Sequence, residues 1–230
     1  HGLSADKVIS FASQIMPLMA VLRTNTARKR RTIIYHDCEM PSALLSPLIQ
    51  DVYGYNFESQ KIKDGTDVPE SKDATHIYIT ERPLQNELPV GYAHCTVHLH
   101  PLYGSTLLIN EQDEQESLEW ISKIQHVRRR ETIAITPPYS LRMIKEFLGE
   151  EPQPLEVITD KDWQHIEMAL LENTGAAIRP LIATSGLSVQ YGILMGLLHH
   201  ARLHHPDKPI KLIIPPNCYG GTNDQARRCS

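Results

Sequence analysis

The chain has 230 residues, 41% of them hydrophobic and 22% charged, a balance that suits one large globular domain or two small ones. Its net charge of −4 argues against a dedicated nucleic-acid binder, and no apolar run approaches the roughly 20 residues of a membrane span. Cys38, Cys95, Cys218 and Cys229 are far apart without a CxxC pair, which points to reduced thiols of a cytoplasmic protein.

Residues 4–22 carry Val8, Phe11, Ala12, Ile15, Met16 and Met19 at helical spacing, so one helix with Ser4 as its cap is expected there. The basic run Arg28 to Arg31 follows it, the reverse of the order in a signal peptide. Residues 32–35 are expected as a strand, 42–52 as a helix, and the polar stretch 58–74 as a surface loop. Strands are expected at 76–80, 92–99 and 106–109. The middle one alternates Tyr92, His94, Thr96, His98 and His100 with Ala93, Cys95, Val97 and Leu99, the period of a sheet with one wetter face. Residues 114–124 and 140–148 are expected as helices and 132–136 as a strand. Proline and charge cluster at 150–154, the expected boundary between a domain of residues 1–155 and a second one of residues 156–230.

Beyond that boundary a helix is expected over 160–172, with Asp160 as a candidate cap. It is followed by a buried strand at 181–184, a long apolar helix over 186–203 and a second buried strand at 210–214. Strand, helix and strand at this spacing form a parallel βαβ unit with a right-handed crossover. The first strand runs into Ala183-Thr184-Ser185-Gly186-Leu187-Ser188. At such a turn the first N–H groups of the helix lack internal partners and, with the helix dipole, suit a phosphate. Gly186 lets the phosphate approach, and Ser185 and Ser188 offer hydroxyls; serine here also has the plainer role of a helix cap. The second strand ends in Pro216-Asn217-Cys218-Tyr219-Gly220-Gly221-Thr222. Ligands collect at the carboxyl ends of parallel strands, so Tyr219 is placed to stack on a planar ring.

These landmarks, together with Ile166-Glu167 and Leu170-Leu171-Glu172, resemble in order and spacing those of the cystathionine γ-synthase-like family of pyridoxal-phosphate enzymes of cysteine and methionine metabolism. The resemblance is confined to the stretch from Ile166 to Thr222. It implies an α/β protein in which an accessory α/β domain precedes the start of an aspartate-aminotransferase-like (fold type I) parallel-sheet domain. It implies pyridoxal 5'-phosphate as cofactor, its phosphate held by Ser185 and the N–H groups of Gly186 and Leu187, with Tyr219 on its ring. It further implies an amino-acid substrate, γ-elimination or γ-replacement of the transsulfuration type (a lyase or transferase), and a homo-oligomer, dimer or tetramer. The family's cofactor-anchoring lysine lies downstream of the Tyr-Gly-Gly-Thr loop, and Lys208 and Lys211 precede it. The expectation is therefore a front portion of a longer enzyme, inactive alone. A non-enzymatic α/β module binding a phosphorylated small molecule is the alternative.

The remaining clusters are expected to be structural. His94, His98 and His100 share one strand face with His76 nearby, but no carboxylate or cysteine completes a metal set. His199, His200, His204 and His205 suit a helix end. Arg28 to Arg31 and Arg128 to Arg130 are expected as solvated surface. His36-Asp37-Cys38-Glu39 is not expected to act as a nucleophile site, since adjacent strand residues point apart.

Overall fold

The computed structural model describes residues 3–70, 73–82, 91–111, 113–151 and 159–228. Among them the strands form one six-stranded sheet: β1 (Val8–Phe11), β2 (Arg31–His36), β3 (Glu58–Lys61), β4 (Ala74–Thr80), β5 (Cys95–His100) and β6 (Gly104–Ile109), in the order β1-β6-β5-β4-β2-β3. The ladders β3-β2-β4-β5 are parallel, and β6 and β1 are antiparallel additions. The protein is thus α/β with a mixed sheet. The helices are α1 (Met16–Ala27), α2 (Leu48–Asp51), α3 (Glu114–Glu131), α4 (Pro137–Phe147), α5 (Asp160–Thr174), α6 (Gly186–His204) and α7 (Gly220–Arg228).

One face of the sheet packs on α1 and α3. Ile9, Phe11, Ile34, Ile77, Ile79, Val97, Leu107 and Ile109 meet Leu18, Leu22, Trp120, Ile124 and Val127 in a single cluster. At roughly 25 cal/mol per Å² of apolar surface removed from water, this cluster is the main stabilising element. The opposite face mixes polar residues with a smaller cluster around Tyr35, Val68, Tyr78 and Ala93, and its centre is dry. Thr96 is 0% and His98 5% exposed, so the face expected to be wetter is dry at its centre, while Tyr92 is exposed and His94 and His100 are half-buried at its ends. Several of its polar groups bond internally. Asn110 Nδ2 donates to Thr96 Oγ1 at 2.9 Å, the His76 N–H donates to His94 Nδ1 at 3.1 Å, and Tyr78 Oη donates to Asp37 at 2.7 Å.

Several elements differ from the sequence pattern, each for a physical reason. The helix expected over 4–22 divides into β1 and α1. Pro17 sits in the first turn of α1, where its missing N–H is harmless, and the apolar run before it pairs with β6. The helix expected over 42–52 is interrupted at Pro47, leaving a 3-10 turn over Ser42–Leu45 and the short α2, because proline disfavours helix at the residue before it. Within the expected loop 58–74, β3 forms an edge strand although all four residues are exposed. Its backbone pairs with β2, and its charged side chains protect the open edge. Residues 132–136 form no strand; a single backbone bond, from Ala12 N–H to the Ile133 carbonyl at 2.9 Å, ties them to the sheet. At α5 the capping residue is Thr159, not Asp160. Asp162 accepts from both the Thr159 N–H and hydroxyl at 2.7 Å. The expected domain boundary at 150–154 falls mostly on residues outside those described.

The largest departure concerns 181–184 and 210–214. Neither forms a strand, so the parallel βαβ unit expected there is not built. Leu181 is 75% and Ile213 99% exposed. Apolar character gives a segment something to bury, but a strand also needs a neighbouring backbone for its N–H and C=O groups, and no described strand lies beside either.

Candidate functional site

Although the two flanking strands are absent, the two motifs meet. Ser185 caps α6, its Oγ accepting from the Ser188 N–H at 3.1 Å. The Ser188 hydroxyl lies 2.9 Å from Ser185 Oγ and 3.1 Å from Thr184 Oγ1, so three hydroxyls gather at the helix start. Gly186 and Leu187 are the first residues of α6, and their N–H groups have no acceptor one turn earlier in the helix. Gly186 is exposed, and a side chain there would meet nothing within 4 Å. The backbone at this point is open to a ligand.

The Tyr-Gly-Gly-Thr segment is itself the beginning of a helix. The Tyr219 carbonyl accepts from the Thr222 N–H at 2.9 Å and from the Asn223 N–H at 3.3 Å, opening α7. The starts of α6 and α7 lie against each other. Thr222 Oγ1 donates to Gln190 Oε1 at 3.0 Å, and Gln225 Nε2 donates to the Leu187 carbonyl at 3.0 Å. A methyl group on Gly221 would stand 3.0 Å from Leu187 Cδ1 and 2.5 Å from Tyr219 Cε1, so glycine is what permits the approach. Two helix N-termini, each with a partial positive charge, thereby share one surface. Ser185, Gly186 and Leu187 lie on one side of the junction and Tyr219, 69% exposed, on the other.

The site is tied to the N-terminal layer by a half-buried arginine on a buried carboxylate, a pair that sequence inspection missed. Arg23 of α1 pairs with Glu131, the last residue of α3. It also donates to Tyr55 Oη at 3.1 Å and to Tyr191 Oη, on α6, at 3.0 Å. Burial opposes the Arg23 charge, but Glu131 and the two tyrosines more than offset it and hold the guanidinium firmly protonated. Burial lifts the Glu131 carboxyl above its ordinary range, and Arg23 pulls it back. Burial likewise pushes the Tyr191 hydroxyl far up. A lone arginine inside an apolar helix was the signal for this cluster: Arg23 follows six consecutive buried residues, Pro17 to Leu22.

A second node sits where the strand order reverses, between β2 and β4, the usual place for a ligand crevice in parallel sheets. Asp37 there accepts from Tyr78 at 2.7 Å and Thr80 at 3.2 Å, and pairs with Arg82 at 2.7 Å. The carboxylate is satisfied from within the fold, so the node is a structural closure. Burial raises the neighbouring Cys38 thiol to about 11, which leaves it protonated and unreactive at neutral pH.

Among the described residues no group of three or more His, Cys, Asp or Glu side chains could hold a metal ion. Lys208 and Lys211 are exposed. The basic runs, expected as solvated surface, include exposed Lys29, Arg31 and Arg129 and also make ion pairs. Arg28 and Arg30 pair with Glu116, and Arg31 with Glu58; Arg130 pairs with Asp224 at 3.0 Å. A cleft of about 640 Å³ lies between α5 and residues 179–182, lined by Trp163, Glu167, Arg179 and Leu181. Arg179 is held there by Glu167 at 2.6 and 2.8 Å.

No helix of the described residues is long and apolar enough to cross a membrane. No protein-family model matches the chain, and no curated protein matches it significantly.

Proposed function

We propose that the junction of α6 and α7 binds the phosphate of a planar phosphorylated ligand, and that this ligand is pyridoxal 5'-phosphate. The observation that carries the reading is the meeting of two helix N-termini beside a cluster of three hydroxyls. Unpaired N–H groups and the partial positive charge of a helix start favour an anion there. The residues present fit the group. Open space at Gly186 admits the phosphate, Ser185 and Ser188 supply hydroxyls, and exposed Tyr219 is available for stacking on a ring.

When bound, pyridoxal phosphate supplies an electron sink for amino-acid chemistry. The chain's own contribution is to hold and orient the cofactor. Ser185 and the Gly186 and Leu187 N–H groups would fix its phosphate, and Tyr219 its ring plane. Neither Lys208 nor Lys211 is assigned as the anchoring lysine, and no catalytic residue is assigned among the described ones. The substrate class is then an amino acid undergoing γ-elimination or γ-replacement in a cytoplasmic homo-oligomer. In this reading residues 156–230 belong to an aspartate-aminotransferase-like domain of fold type I. The pairing of basic residues with carboxylates supports a protein that does not bind nucleic acid.

The second reading, a non-enzymatic module for a phosphorylated small molecule, is favoured by the exposure of both nearby lysines. Titration with pyridoxal phosphate and inorganic phosphate, followed by calorimetry, separates the two. Competition between the ligands, with Ser185→Ala weakening both and Tyr219→Ala weakening only pyridoxal phosphate, is the expected result. Equal loss of phosphate and pyridoxal phosphate affinity in Tyr219→Ala would transfer support to the module. Binding of neither ligand by the unsubstituted protein would end both readings.

A further inference from the structure

The α6-α7 junction is anchored from outside the motif region, at the last turn of α3. Gln225 of α7 is 2% exposed, and its Nε2 donates to two carbonyls on different helices: Arg130 of α3 at 3.1 Å and Leu187 of α6 at 3.0 Å. Beside it Asp224 accepts from Arg130 Nε at 3.0 Å and lies 2.9 Å from His126 Nε2. The Arg130 carbonyl is in the final turn of its helix, where carbonyls lack an intrahelical donor. A primary amide suits this place because one nitrogen carries two N–H groups.

The Leu187 carbonyl and the Ser188 N–H belong to one planar peptide unit. Gln225 holds the oxygen end of that unit, and Ser185 Oγ holds the nitrogen end at 3.1 Å. The first turn of α6 is thus fixed at both ends of a rigid group, immediately beside the N–H groups that face the ligand.

We propose that Gln225 is the positioning residue of the two-helix anion site, with the last turn of α3 as its anchor. The inference rests on the phosphate-binding reading above. It gives the N-terminal α/β layer a role: that layer sets the geometry of a site to which it contributes no ligand contact. Gln225 Oε1 has no hydrogen-bond partner among the described residues. Gln225→Met therefore removes the two donated bonds and no acceptor contact.

The test uses the full chain with inorganic phosphate as probe, read by amide hydrogen exchange of residues 186–188 and of mid-α6 residues 193–200. In the unsubstituted protein phosphate slows exchange at 186–188. Gln225→Met is expected to weaken phosphate binding about tenfold, the effect of one to two lost hydrogen bonds, while exchange at 193–200 without phosphate stays unchanged. Gln225→Glu, which keeps the shape but replaces the donor by an acceptor, is expected to lose at least as much. Unchanged phosphate affinity in both variants would overturn the positioning role and leave the site standing. Faster exchange throughout α6 in both would reduce Gln225 to a packing residue. No phosphate-dependent slowing in the unsubstituted protein would remove the site itself, and the inference with it.

Discussion

Helices α3 and α5 carry nearly the same apolar stripe and meet opposite fates. In α3, Trp120, Ile124 and Val127 are 0%, 0% and 4% exposed. In α5, Trp163, Ile166 and Leu170 are 44%, 43% and 38% exposed, and no described residue of that helix is buried. Both stripes have the spacing of an amphipathic helix. The difference is the partner. The α3 stripe closes over α1 and the sheet, whereas no described element covers the α5 stripe. The contrast continues through residues 159–228, where Tyr191 and Leu194 of α6 and Gln225 and Ala226 of α7 are buried on helices that pack together, with α6 also against α3. A hydrophobic pattern states what a segment is able to bury, and the neighbouring surface decides whether it does.

Substitution at the two matched tryptophans is the sharpest way to break this comparison. Trp120→Ala is expected to cost about 3–5 kcal/mol, the usual range for emptying a large buried aromatic site. Trp163→Ala is expected to stay within about 0.5 kcal/mol. Urea unfolding of both variants checks the pair, and a loss above about 2 kcal/mol in Trp163→Ala would mean that the α5 stripe is covered in solution.

The seam between the two regions responds next. Arg23→Met leaves Glu131 buried without its cation, at a cost of about 2–4 kcal/mol, and Arg23→Met with Glu131→Leu recovers most of it. A double-mutant cycle on denaturation midpoints reads the coupling. Additive losses would show that Arg23 and Glu131 act independently and that the seam is held by packing alone.

The smallest effect distinguishes the regions by pH. Burial lowers the pKa of His76, His94, His98 and His100, all of the N-terminal layer, below the ordinary 6.5. The unfolded chain therefore takes up protons near pH 6.5 that the folded chain refuses. Stability is full above that value and falls as pH drops through it. His98, 5% exposed, makes the cleanest probe. His98→Phe is expected to flatten the decline between pH 7 and 5 in thermal melts. An unchanged slope would assign it to the other three.

Much of the N-terminal layer was legible in the residues. The cores of β2, β4, β5 and β6 and the bodies of α3, α5 and α6 follow from apolar periodicity and, for α6, from the cap Ser185. The sharp start of α6 at Gly186 was also readable, because serine and glycine act locally, whereas the meeting of the two loops was expected from a parallel βαβ unit that does not form. Hidden from the sequence were β1 and β3, whose pairing depends on backbone partners distant along the chain. The division of 42–52 at Pro47 was overlooked although its cause is local.

By itself, then, the sequence determined the α/β character, the place of the apolar surfaces and the residues gathered at the α6 start. Tertiary structure alone decided the rest: that His98 and Thr96 are dry, that 181–184 and 210–214 remain unpaired, and that Arg23 and Gln225 tie the helical region to the sheet layer. The reason is that burial and hydrogen bonding are properties of pairs. A chain encodes one member of each pair at a given position, and only the fold brings the other within reach.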